Sequence, residues 1–453
     1  MKALRFALFA VVSLVLVFTA ACGGASPTAT SPATPAQEAQ PGDSGSEEKV
    51  TLTYWSMWNE TEPQAVVIQK WIDGFEAENP NITIEVVWNG RENQTKLRTA
   101  LSSGTKVDFM DQDADQVAGG LMSEGYGLPL NDLLETTALD EDVPVKSVFS
   151  PGVLDLHQQD GNVYLWPYVY NAVMFWYNKT AFEAAGIQPA ATWDEFISNG
   201  QKLLEAGYAP IAFESDYSDF AMYYFTYLVE RAKGPGFLLS SIEDKTGELW
   251  NDPVYLEVAQ MEQDLWTEGL IPEESKGYLW PQGQQTLATG DSAMELTGSW
   301  TPTELRNTTE EGFQWGGMRF PAIDGGEGSV DDVCAWLISF MVLKDTEHPQ
   351  EVQQFLLWTM TKTNQQMMAD EALVGTTRTD VSWPEILVDG ENAAANARVA
   401  FMHGDGGPAL HPEYFKNVLA FYHQDMFLGN ITPEAFIEKM VSESKTYWET
   451  HDK

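Results

Sequence analysis

The chain has 453 residues, with 25 Lys and Arg against 67 Asp and Glu, for a formal charge of −42. Nucleic acid is excluded as a natural partner, because gripping phosphates takes clustered cations. The acidic excess reads as a solvated surface and does not by itself identify a ligand.

Lys2 and Arg5 precede an apolar run from Phe6 to Phe18, which ends in Thr19-Ala20-Ala21-Cys22. The run is shorter than the ~20 residues of a membrane-crossing helix. A charged start, an apolar middle and small residues at the end make residues 1–21 a signal peptide. From Gly23 to Lys49 no apolar pattern recurs, and Ser, Thr, Pro and Gly dominate, so residues 22–49 read as a disordered tether.

The folded body is expected from Val50 onward. Val50 to Trp55 alternates as a strand does. A helix follows, with Thr61 as its cap, Pro63 in its first turn and Val67, Ile68, Trp71, Ile72 and Phe75 at helical spacing. Asn79-Pro80 stops it, and Ile82 to Trp88 alternates again. A second helix from Arg91 to about Ser102 and a short strand from Val107 to Met110 complete a doubly wound α/β pattern.

The pattern restarts at Val163 to Tyr177, rich in aromatic and β-branched residues. Thr192-Trp193-Asp194-Glu195 fits a capping box, in which the first and last side chains satisfy each other's backbone donors. Glu230 to Trp300 reads as mainly helical, with turns at Gly234-Pro235-Gly236 and Asn251-Asp252-Pro253. Ala335 to Leu343, interrupted by Ser339, is too short to span a bilayer and reads as a buried strand, with Cys334 as a buried thiol. No internal repeat is visible. The pattern favours two α/β domains with ligand between the carboxyl ends of their strands.

Three segments carry a family likeness. The first is Phe75-Glu-Ala-Glu-Asn-Pro-Asn-Ile-Thr-Ile-Glu-Val-Val87. Next come Trp166-Pro167, Tyr177-Asn178-Lys179 and Thr192-Trp193-Asp194-Glu195-Phe196. The last runs from Leu287 through Gly290, Ala293-Met294 and Gly298 to Trp300. In this order they resemble the group 1 extracellular solute-binding proteins, the family of maltose-binding protein, over Leu52 to about Trp448. The residues before Cys22 likewise resemble a lipobox, which implies that Cys22 is the lipidated first residue of the mature chain.

The resemblance implies a two-lobed periplasmic-binding-protein fold, each lobe a doubly wound sheet with flanking helices. Residues 50–167 and 340–374 would form lobe 1, and residues 173–337 and 377–453 lobe 2. It implies a monomer that takes a sugar in the cleft, closes on it and hands it to ABC permease subunits at the outer face of the bacterial cytoplasmic membrane. No enzyme activity, metal or cofactor is implied. Two departures fall near cleft loops: Val107-Asp108-Phe109 replaces the usual Pro-Asp-Val, and Cys334-Ala335-Trp336 the usual Gly-Gly-Trp.

Sugars present apolar C–H faces and a rim of hydroxyls, so aromatic plates and short polar side chains are the residues to seek. Trp58, Asn59 and Glu60 fall in the loop after the first strand, and Asp113 and Asp115 in the loop after the third. The likeness adds Asn171 after the Trp-Pro pair, Tyr217 in a cleft loop of lobe 2, Trp336 beside a crossing segment and Trp300 as the plate for a sugar ring. Trp88, Trp250 and Trp280 are equally well served by burial. Asp111 to Asp115 imitates a calcium loop, but Gln116 and Met122 stand where glycine and glutamate are required. The competing readings are a secreted glycoside hydrolase, which needs two flanking carboxylates, and the same fold with a peptide, polyamine or metal cargo. A strongly cationic ligand would need several cleft acids together.

Overall fold

A computed structural model describes residues 49–451. The signal segment, Cys22 and the spacer up to residue 48 lie outside the described residues.

Among the described residues nine strands carry the fold: β1 Val50–Ser56, β2 Ile82–Trp88, β3 Phe109–Asp113, β4 Leu165–Asn178, β5 Ala209–Ile211, β6 Ser292–Thr297, β7 Trp315–Met318, β8 Asp332–Val342 and β9 Val399–Phe401. They pair in the order β2-β1-β3-β8-β4-β6-β5, with β7 on β4 and β9 on β8. β1 runs parallel to β2 and β3, as strand-helix-strand units require. β8 comes back antiparallel beside β3, from Phe109 opposite Val342 to Asp113 opposite Ile338.

β4 joins the two halves of the molecule. Its first part, Leu165 to Val173, pairs with β8. Its last residues turn to new partners, Met174 to Tyr177 with β6 and Phe175 to Asn178 with β7. All 14 of its residues are buried, which fits a sequence that is apolar on both faces apart from Asn171 and Asn178 instead of alternating.

Two hydrophobic cores flank this strand. In the first, Ile68, Trp71 and Phe75 of the helix Pro63–Glu78 pack with Phe109, Phe340 and Phe355. The second gathers Phe175, Phe196, Tyr224, Tyr227, Phe320 and Phe427. Trp336 packs against both. The chain after Thr377 does not stay with the second core, since Trp383, Leu387 and Ala393 return to the first. Among the described residues no helix is long and apolar enough to cross a membrane.

Several local expectations change. Glu62, not Thr61, precedes the first helix, and its carboxylate accepts the Asn59 backbone N–H at 2.5 Å. Thr192 Oγ1 caps its helix by accepting from the Glu195 backbone N–H at 3.3 Å, but Glu195 accepts from Ala191 at 2.8 Å, so the box is not reciprocal. Thr192 lies in a parallel bridge to Ala322, whose hydrogen bonds run through Trp193 N and Ala191 O. The stretch from 230 to 300 is broken into short helices and ends in the buried strand β6. The third strand starts at Phe109 and extends to Asp113.

Candidate ligand site between the two cores

Trp336 forms the floor of the site. It sits in β8 opposite Asn171 of β4, so both crossing strands fix its position. Trp300 begins the helix Trp300–Leu305, with Ser299 at the cap. Its ring lies 6.0 Å from that of Trp336 at 77°. Gly298 makes this placement possible: a β-carbon there would stand 2.0 Å from Trp300 Cζ3. Ser299 Oγ donates to Asn171 Oδ1 at 3.2 Å and ties the turn to the floor.

Tyr223, from the helix Ser218–Lys233, stands on another side of Trp336, 6.2 Å away at 75°. His403 completes the wall, 4.8 Å from Tyr223 and 5.6 Å from Trp336. It follows Met402 into a turn in which Gly404 and Asp405 both take left-handed backbone, φ +53° and +54°. For Asp405 such a conformation is strained. The Asp405 carboxylate holds the turn by accepting the backbone N–H groups of Gly236 at 2.9 Å and Leu239 at 3.1 Å.

The acidic wall comes from the first half. Asp113 and Asp115 are not on a loop: Asp113 ends β3 and Asp115 lies in the first turn of the helix Ala114–Val117. Asp113 Oδ1 caps that helix by accepting from Gln116 N at 3.0 Å, while its Oδ2 is buried with no partner. Burial pushes its carboxyl well above the usual range, and the charges of Asp115 and Asp219 push it further. Asp115 Oδ1 lies 2.6 Å from His157 Nε2. Asp219, at the start of the helix that carries Tyr223, reaches within 3.5 Å of His403 Nε2.

The remaining candidates do not join this group as a set. Trp58 is buried in the first core, its Nε1 donating to Tyr168 Oη at 2.7 Å and its face covered by Arg91 at 4.8 Å. Tyr168 in turn donates to the buried Asp111. Asn59 and Glu60 are exposed, and Asn59 Nδ2 donates to Glu62 at 3.1 Å. Tyr217 is half exposed beside Trp280, ring to ring at 6.5 Å. Trp280 is itself 46% exposed, so burial does not explain it, whereas Trp250 is fully buried. A surface hollow of about 480 Å³ beside Leu101, Val107, Tyr126 and Leu343 involves none of these residues.

Residues 58–366 match the profile of the bacterial extracellular solute-binding proteins, well over half of the chain. The chain belongs to that family. This solute-binding protein is similar to a Brucella abortus relative, 26% identical over 297 residues, which are 62% of this chain and 66% of that one. It thus spans a little under two thirds of the Brucella relative's length. The multiple sugar-binding protein of Streptococcus mutans is 23% identical over 338 residues, 70% of this chain and 72% of that one. A solved chitin oligosaccharide binding protein superimposes with a TM-score of 0.70 at 23% identity, covering 88% of this chain and 98% of its own. At that identity the superposition shows the fold, two-lobed with a mixed sheet in each half.

Sequence reasoning missed Tyr223, His403 and Asp219. Asp219 and Tyr223 are four apart on one helix, a spacing that places them on one face. Their helix is so aromatic that nothing in the sequence distinguished them from core.

Proposed function

We propose that this solute-binding protein captures a sugar for an ABC importer, anchored through Cys22 outside the bacterial cytoplasmic membrane. The observation that carries the reading is the set of Trp300, Tyr223 and Trp336 rings, two of them nearly perpendicular to the third, with Asn171, Ser299, Asp113, Asp219 and His403 around them. Such a box offers faces for the C–H side of a pyranose and acceptors and donors for its hydroxyls. Two relatives whose names refer to sugars, a multiple sugar-binding protein and a chitin oligosaccharide binding protein, support it.

In this reading the lobes are residues 50–167 with 340–374 and residues 173–337 with the chain after 377, except that Trp383, Leu387 and Ala393 pack with the first. Asp113 and Asp115 come from one, and Trp300, Tyr223 and His403 from the other. Ligand bridging them favours the closed arrangement by its differential affinity, and the permease reads that arrangement. β4 and β8 are the segments about which the lobes turn.

A thermal-shift screen over mono-, di- and oligosaccharides tests the proposal. A bound sugar raises the melting temperature in step with the logarithm of its concentration over Kd. A flat response to every saccharide, with a shift from a peptide or a metal ion, would overturn it.

A further inference from the structure

Asp113 is paired with Ile338, two residues along β8 from Trp336, and Asp219 lies 3.5 Å from His403, which packs on that same Trp336 ring. Asp113 is 4% exposed, yet its Oδ2 receives no hydrogen bond. His403 is 1% exposed, lies against Tyr223 and Trp336 and faces Asp219, and neither of its ring nitrogens completes a hydrogen bond. Buried polar atoms of this kind are costly unless something meets them.

A neutral hydroxyl could satisfy one atom but would leave Asp113 holding the proton that burial and its acidic neighbours keep on it, whereas a cation both meets that atom and lets Asp113 ionise. His157 pairs with Asp115 and His403 stands 3.5 Å from Asp219, so among the described residues neither Asp113 nor Asp219 has a Lys or Arg partner. The faces of Trp300, Trp336 and Tyr223 also favour positive charge, through the negative face of each ring. The acids do not converge on one point as metal ligands would: among the described residues no three His, Cys, Asp or Glu side chains are placed to hold a metal ion. An ammonium group suits this spread, because its three N–H donors reach separate acceptors.

We propose that the sugar taken by this site carries a protonated amine, which lies between Asp113 and Asp219 while its ring lies against the tryptophans. The proposal rests on the sugar reading above and narrows it to amino sugars with a free amine. His403 accepts from the ammonium or donates to a neighbouring hydroxyl.

The experiment is calorimetry on the full protein with glucosamine and galactosamine mono- and disaccharides, each against its N-acetylated counterpart, with spermidine as a sugar-free amine. At about pH 6 the amine is charged, below the ~8 of an ordinary α-amine. The free-amine sugars are expected to bind about tenfold or more tightly than the acetylated ones, and only their affinity should fall with added salt. Asp219→Asn, at a half-exposed position, and Asp113→Asn should each remove most of that preference. The salt series on the unaltered protein decides the matter even where Asp113→Asn, which touches a helix cap, folds poorly. Equal or tighter binding of the acetylated forms overturns the amine and leaves the sugar reading standing. Tighter binding of spermidine than of any saccharide, or no binding of any saccharide, overturns both.

Discussion

The Trp300 ring meets the Trp336 ring edge to face, at 77° with 6.0 Å between centroids, and the missing side chain of Gly298 is the space Trp300 occupies. Trp300→Ala should therefore weaken sugar binding by about tenfold or more, roughly the 1.4 kcal/mol of one stacking contact. Gly298→Ala should do nearly the same, because its methyl would push the ring from its seat. Calorimetry with the best ligand from the screen checks both, and unchanged affinity in either would remove Trp300 from the site.

Trp58 should behave in the opposite way. Its indole N–H is spent on Tyr168, which is spent on Asp111, whose carboxyl burial raises to about 6. Trp58→Phe is expected to cost about 1 kcal/mol of stability in denaturant titration, the worth of one hydrogen bond, and to leave affinity intact. A tenfold loss of affinity without loss of stability would return Trp58 to the ligand.

Stability should peak on the acid side of neutrality. Burial holds Glu214 at about 7, with Asp216 and Glu304 adding to it. Burial, with Asp332 adding, holds Glu230 at about 8 against the pull of Arg231. Folded values above the unfolded ones mean that the native state keeps protons the unfolded chain releases, so this stability is whole below about 4.5 and declines as pH rises through 7 and 8. Asp380 acts in the reverse sense. Burial alone would raise it, but hydrogen bonds and charge from Arg378 and Lys362 hold it at about 2, so its contribution is present above about 3.8 and is lost as pH falls toward 2. Melting temperatures should be higher near pH 5 than near pH 8.5. Glu214→Gln should flatten the alkaline decline, since burial is the main cause that keeps this carboxyl protonated. An alkaline optimum would contradict this.

Closure should be visible in solution. X-ray scattering is expected to give a smaller radius of gyration once a saturating ligand is added, and identical curves with and without it would argue against lobe movement.

The β1-helix-β2 unit was legible because its strands alternate and its helix repeats at 3.6 residues, and these signals persist when a segment is half buried. β4 was legible from its aromatic and β-branched residues, but not its change of partners, since a strand buried on both faces has no periodicity to mark where one sheet gives way to the next. β6 escaped notice because Ser292–Thr297, with Glu295 in its middle, looks amphipathic although all six residues are buried. In the candidate site, Trp300 was singled out through a motif and Trp336 through its place beside a crossing segment. Asp219, Tyr223 and His403 were not, because their meeting depends on the left-handed turn that Asp405 stabilises, a tertiary effect with no local trace.

The path of β4 and β8 also bears on how the chain acquires its shape. β3 ends at Asp113, but the strand that pairs with its open side, β8, begins only at Asp332. A chain emerging from its amino end must make the whole middle stretch before that edge is covered. Until then the edge is a row of unmet backbone donors and acceptors, open to pairing with any other chain. A protein built this way gains from a strongly negative surface, which keeps neighbouring copies apart while that edge is still open.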